Sequence, residues 1–177
     1  MVSQLKVNEI IKQSGSSITI GESGDTITLP STSTLTNFPE NTPCFWVAKD
    51  ATQSIAGDTQ VQLTYEEELL DSAGAFASST FTPQVAGYYF IYAQARFNSN
   101  DDADQWKIEL YKNGTSVNIG STVTRTQQTA QVSGLIQLNG SSDNVKFYVY
   151  HNLSGTNIDV QDQNQYTYAF GMRVIGI

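Results

Sequence analysis

His151, the single histidine of this 177-residue chain, is followed by Ser154 and Asp159, the residue types of an acyl-transferring triad. A triad also needs donors that hold the oxyanion, and no segment of the sequence offers them. His151 therefore reads as a strand-end or interface histidine. A second group, Asn100-Asp101-Asp102-Ala103-Asp104, concentrates carboxylates in one loop. Hard oxygen ligands suit calcium, with Asp101, Asp102 and Asp104 as the candidate ligands, although the spacing and bidentate glutamate of an EF-hand are missing. Glu66-Glu67-Glu68 reads as an exposed charged turn, and no carboxylate pair stands out for sugar cleavage. Cys44 has no partner for an intrachain disulfide and reads as a small apolar residue opening a strand. Phosphate-cradling glycine loops and Cys/His clusters are missing from the sequence. The expectation is a protein that is no enzyme and carries no cofactor, calcium being the one ion considered.

Function then depends on the elements that such residues decorate. The most informative is Gly87 to Phe97, entered through the punctuation Phe81-Thr-Pro-Gln-Val-Ala-Gly87. Successive side chains of a strand point to opposite faces. Tyr88, Phe90, Tyr92, Gln94 and Arg96 share one face; Tyr89, Ile91, Ala93, Ala95 and Phe97 share the other. A sheet with one wet side needs only one apolar face. Two such faces imply a cover on the outer side, and in an all-β chain that cover is expected to be another copy of the chain.

The rest of the sequence alternates in the same way. Strands are expected at Cys44–Lys49, Thr59–Leu63, Thr80–Phe81, Gln105–Lys112, Val123–Ala130, Val132–Leu138, Asn144–His151 and Gln165–Ile177, with turns at Asn113-Gly114 and Asn139–Asp143. The nearest approach to a helix, Tyr65–Ser72, is short and acidic. About ten short antiparallel strands read as an all-β sandwich or jelly roll. A net charge of −8 argues against nucleic acid, which needs a basic stripe. Neither a signal-peptide pattern nor a run of about 20 apolar residues is visible, so membrane insertion and secretion by a signal peptide are not expected.

Residues 1–43 differ in composition, being poor in aromatics and rich in Ser, Thr and Gly. Ser17-Ile18-Thr19-Ile20-Gly21 and Thr26-Ile27-Thr28-Leu29-Pro30 form a small repeat that reads as two short strands. An isolated hairpin is marginal in water, so Ile18, Ile20, Ile27 and Leu29 are expected to meet on a common axis of wrapped chains, or the segment stays a polar tether that orders on docking. Leu5, Val7, Ile10 and Ile11 are candidate anchoring residues. The expected organisation is an N-terminal segment and stalk at 1–36, a linker at 37–43 and a head at 44–177.

Phe81, Gly87 and Tyr89, spaced as Phe-x5-Gly-x-Tyr, resemble the signature of the globular head of complement component q, the fold shared with tumour necrosis factor-like proteins. Ile91 stands where that family closes the motif with Phe. Ser133–Leu138, a turn and Asn144–Phe147, then Tyr168-Ala-Phe170-Gly171 near the C-terminus, are similar to later strands of the family, although its Gly-Asp turn is replaced by Ser142-Asp143-Asn144. The resemblance implies a ten-stranded jelly roll that forms a homotrimer. Tyr88, Tyr89, Phe90, Ile91, Tyr92, Tyr148, Tyr150, Tyr168 and Phe170 are then the candidate core or interface residues. It also implies a stalk. Because no Gly-X-Y repeat exists here, such a head on a short β-type stalk looks like a bacteriophage fibre, knob or capsid-decoration protein, assembled in the host cytoplasm and carried on the virion. Residues 1–36 would bind other virion proteins. Loops bearing Asn100, Asp101, Asp102, Asn113, Asn139 and Asn152 would meet a host surface glycan or protein. The alternatives are a decoration or connector protein that binds no host, and a lectin-like module unrelated to virions.

Overall fold

The structure, a computed structural model, describes residues 10, 20, 23–28, 40–98, 105–122 and 129–176. The chain divides into two compact units, Met1–Phe38 and Pro39–Ile177. Leu5, Val7, Ile11, Ile18 and Leu29 lie outside the described residues. In the first unit Ile10, Ile20 and Ile27 are exposed, and residues 26–28, the described part of the second copy of the repeat, form no strand.

The second unit is all β among its described residues. Its strands are β1 (Cys44–Ala48), β2 (Gln53–Ala56), β3 (Val61–Gln62), β4 (Glu67–Asp71), β5 (Phe76–Ala77), β6 (Thr80–Phe81), β7 (Gly87–Asn98), β8 (Trp106–Lys112), β9 (Thr115–Thr122), β10 (Thr129–Leu138), β11 (Val145–His151), β12 (Asn157–Val160) and β13 (Tyr168–Val174). One sheet runs β2-β12-β7-β13-β1-β4, with β10 also paired to β7; the other runs β5-β6-β11-β8-β9, with β3 paired to β11. Every pairing is antiparallel. This is the expected jelly-roll sandwich, with more and shorter strands than the sequence suggested. β2, β9 and β12 were not anticipated, because Gln, Asn, Ser, Thr and Asp give their alternation little contrast. Residues 67–71, part of the segment nearest to a helix, form β4: pairing with β1 sets Leu70 opposite Trp46. Glu67 and Glu68 therefore belong to a strand and not to a turn.

Sequence chemistry explains the hairpins. Asn113 and Gly114 both adopt positive φ, 51° and 79°, as the tight turn between β8 and β9 requires. Gly140 has φ 70°, and a Cβ there would stand 2.2 Å from the Ala86 nitrogen, so only glycine lets the turn close against residues 85–86.

The core lies between the sheets. β7 contributes Tyr89, Ile91, Ala93, Ala95 and Phe97, all fully buried. The Phe81 ring packs against Tyr89 at 5.5 Å and against Phe45 at 4.5 Å, and Phe45 stacks on Phe76 at 5.0 Å. The Tyr89 hydroxyl donates to the Val85 carbonyl at 2.6 Å. Gly171 is forced by the same cluster, since a Cβ there would lie 2.6 Å from the Phe45 ring. Ile91 fills the position that a phenylalanine closes in the resembling signature, directly opposite Gly134 and Gly171. Replacing Ile91 with Asp places an uncompensated carboxylate here at a cost of several kcal/mol. The expected result is loss of the cooperative thermal transition; an I91D protein that melts like the parent contradicts this core.

Candidate functional site

Side chains of β7 that do not enter the core emerge on the outer face of the first sheet, and strand register builds a surface around them. One cross-strand row reads Leu70, Trp46, Phe170, Tyr92, Ser133. The next reads Cys44, Met172, Phe90, Leu135, and a third Val174, Tyr88, Gln137. Trp46, Phe90 and Leu135 are 46%, 39% and 54% exposed, unusual for large apolar side chains standing together. They are ordered against one another. Tyr92 stacks on Phe170 at 5.2 Å and lies 5.8 Å from Tyr168, and Phe90 lies 6.4 Å from Phe170. Between β1, β4 and β13 the surface sinks into an apolar groove of about 480 Å³, lined by Cys44, Trp46, Leu70, Tyr168, Phe170 and Met172 among others.

A polar row closes one end of this surface. Tyr168, Gln94 and Gln131 face one another across β13, β7 and β10. Gln94 is buried and fully used: its Oε1 accepts from Tyr92 at 2.9 Å and from Gln131 at 3.3 Å, and its amide donates to the Gln165 and Tyr166 carbonyls. Burial, with the neighbouring Tyr168 phenol adding to it, pushes Tyr92 up to about 12.

The residues anticipated from sequence fall into separate places. Tyr88, Phe90, Tyr92, Tyr168 and Phe170 share the outer face of the first sheet, whereas Tyr89 and Ile91 are core. Tyr148 and Tyr150 belong to neither set: they sit on β11, in the other sheet, turned away from the core. Among the proposed display residues, Asn113, Asn139 and Asn152 use their amides to hold the chain. Asn113 donates to Asp143 at 2.7 Å, the Asn139 side-chain oxygen accepts from the backbone of Ser141, Ser142 and Asp143, and that of Asn152 accepts from Gln105 N–H. Asn100, Asp101, Asp102 and Asp104 lie outside the described residues, and so does the calcium site read from them. Among the described residues no group of three or more His, Cys, Asp or Glu is placed to hold a metal.

His151 ends β11 fully buried against Trp106, ring centres 5.5 Å apart. Its Nδ1 faces the Leu153 N–H at 3.3 Å and its Nε2 the Ile55 carbonyl at 3.2 Å. Both nitrogens are thus occupied by backbone, with no hydroxyl nucleophile attached. Glu66 has another use than an exposed turn. It meets the buried Lys49 ammonium at 3.1 Å, which also donates to the Thr64 hydroxyl and carbonyl. Burial lowers the Lys49 pKa, with Glu66 opposing that shift.

Trp46, Leu70 and Leu135 were not singled out in the sequence as members of this face, whereas Met172 lines up with Tyr168 and Phe170 along the last strand. Trp46 between Phe45 and Val47 gave no such signal.

Ionisation of Tyr92 supplies a test. In the unfolded chain the phenol ionises near 10.0 and in the folded chain near 12, so its contribution to stability is intact below pH 10 and lost as pH rises through 12. Phenolate absorbance of the folded protein should retain a late-titrating tyrosine that Tyr92→Phe removes, and the parent's stability should fall more steeply across this window than the variant's.

No protein-family description matches the chain, and no curated protein sequence does. Solved structures do. Murine APRIL is similar with a TM-score of 0.59 and 10% identity, over 74% of this chain and 98% of that one. The globular domain of zebrafish complement 1qA protein gives 0.57 and 16% identity, over 76% and 98%. Eiger TNF from S. frugiperda gives 0.57 and 7% identity, over 76% and 93%. At these identities the likeness is one of fold, and the fold is the one the Phe81, Gly87, Tyr89 spacing implied.

Proposed function

We propose that this chain is a non-enzymatic assembly and recognition protein. Its head associates as a homotrimer through the outer face of the first sheet and presents its remaining surface to a receptor. The observation that carries the reading is the exposed apolar surface of Trp46, Leu70, Tyr88, Phe90, Leu135 and Met172 around the half-buried Phe170, which water leaves uncompensated in a monomer. A closed ring of three copies covers such a face on every copy, as cyclic symmetry demands. The resemblance to trimer-forming heads supports the same arrangement.

In this reading the protein is a virion fibre or knob, assembled in the host cytoplasm. The head faces a host surface glycan or protein, and residues 1–36, with Leu5, Val7, Ile10 and Ile11, anchor it to other virion proteins. The division of the chain after Phe38 supports an anchor distinct from the head, and the apolar repeat at Ile18, Ile20, Ile27 and Leu29 supports a stalk that orders when chains wrap together.

Light scattering across a dilution series should return three times the 19.4 kDa chain mass at every concentration. Trp46→Arg should shift that mass toward the monomer. The substituted side chain is half exposed in one chain, so the variant stays folded, and loss of a buried aromatic anchor costs about 2 kcal/mol or more of association. A parent protein that runs as a clean monomer contradicts the trimer. Removing residues 1–36 should leave the head's mass at a trimer while abolishing its incorporation into particles; a truncated protein still found on particles places the anchor in the head.

A further inference from the structure

The outer face of the second sheet is built on a different chemistry from that of the first. β11 turns Lys146, Tyr148 and Tyr150 away from the core, and β8 does the same with Lys107, Glu109 and Tyr111. Register arranges them in rows: Gln62, Tyr148, Glu109 and Ile119; then Lys146 and Tyr111; then Tyr150 and Lys107. Tyr111 and Tyr148 lie with ring centres 4.3 Å apart, one rigid aromatic unit spanning two strands. Around it the polar groups are fixed in place. The Tyr111 hydroxyl donates to Gln60 at 2.7 Å, the Gln60 amide donates to Glu109 at 2.9 Å, and the Ser116 hydroxyl donates to the other Glu109 oxygen at 2.9 Å. Tyr150 donates to Asp58 at 3.3 Å while the Lys107 ammonium sits 5.0 Å over its ring.

Charge singles out the same face. The chain carries a net charge of −8. Of the described cations in the head, Lys49 is buried against Glu66, Arg96 lies over Tyr166 and Arg173 packs over Gly87. Lys107, Lys112 and Lys146, half-buried as Arg96 and Arg173 are, all lie on β8 or β11. Lys112 is held by Asp143 at 2.9 Å; Lys107 and Lys146 flank the tyrosines. The Tyr148 hydroxyl and the Lys146 ammonium make no hydrogen bond among the described residues.

Such a surface differs in chemistry from the first: its tyrosine rows end on the exposed Ile119 but lack the Leu, Met, Phe and Trp that crowd the other sheet. It fits a ligand that offers both C–H faces and closely spaced hydroxyls. We infer that the Tyr111, Tyr148 and Tyr150 face, with Lys107, Lys146, Gln60 and Gln62 around it, is a binding site for a pyranose glycan. Sugar C–H faces pack on half-buried aromatic rings while lysine and amide groups bond the hydroxyl or carboxylate oxygens. Rings and amides already locked by the Tyr111–Gln60–Glu109–Ser116 chain lose little freedom on binding. The site rests on the reading of the head as a recognition module, and moves recognition from the asparagine turns to a sheet face.

Titration calorimetry on the full chain tests this with neutral gluco-, galacto- and mannohexasaccharides and with a uronate hexasaccharide, which separate a neutral from an acidic glycan. Saturable binding to a probe of either kind is expected. Lys107→Ala combined with Lys146→Ala, which alters only solvent-reaching groups, should raise Kd at least tenfold, and Tyr148→Ala should do the same. Trp46→Arg should leave binding per chain unchanged. Failure of every probe to bind, or parental affinity in the double lysine variant, overturns the site. A monomeric parent that still binds sugar through these residues refutes the trimer and leaves the glycan site standing.

Discussion

The alternation of side chains along β7 is the constraint on which the rest of the structure depends. Twelve residues from Gly87 to Asn98 run through the first sheet and pair with β10, β12 and β13. One set of their side chains is large or small by turns, Tyr89, Ile91, Ala93, Ala95 and Phe97, and it fixes the thickness of the core. The small residues set how closely the other sheet approaches, and the aromatic ones set which rings from β1, β5 and β6 can meet them. Gly171, opposite Ile91, follows from that choice, since a Cβ there would meet Phe45 and Ile91.

The other set of β7 side chains cannot be satisfied by the same core. A strand has two faces, and a single sandwich has one interior. Tyr88, Phe90 and Tyr92 therefore recruit Trp46, Phe170, Met172 and Leu135 into a surface held by ring-on-ring contact and bounded by the Gln94 network. Burying polar groups at one end of an apolar face limits where a partner can sit, because displacing Gln94 strands several hydrogen bonds at once. The proposed trimer is the arrangement that gives these side chains an interior on every copy.

The two outer faces thus differ in chemistry. The first is apolar, with its aromatic rings packed against other apolar groups, and suits burial against protein. The second mixes tyrosines, amides and a carboxylate that are mutually hydrogen-bonded with the lysines Lys107 and Lys146 beside them, and suits contact with a ligand that is itself both apolar and hydroxylated. The turns between strands are occupied with their own geometry: the Asn139 and Asn113 amides stabilise the loops that carry them.

Much of this was legible in the chain. Period-two patterning defined the all-β class, the two-sidedness of β7 and the membership of its faces, because side-chain direction in a strand is a property of local backbone geometry. Phe81, Gly87 and Tyr89 pointed to the jelly roll through their resemblance to a family signature. What the sequence could not supply was which side was which. Tyr148 and Tyr150 look like Tyr88 and Tyr92 as residues, yet they belong to a different sheet with a different neighbourhood. Trp46 looks like core beside Phe45 and Val47, and becomes surface only when β1 pairs with β13. Lys49 closes the first expected strand, and its ammonium is buried where Glu66 and Thr64 arrive from another part of the chain. Parity along a strand is local and is written in the sequence. The identity of the surface that each parity meets is created by long-range pairing, and only the tertiary structure decides it.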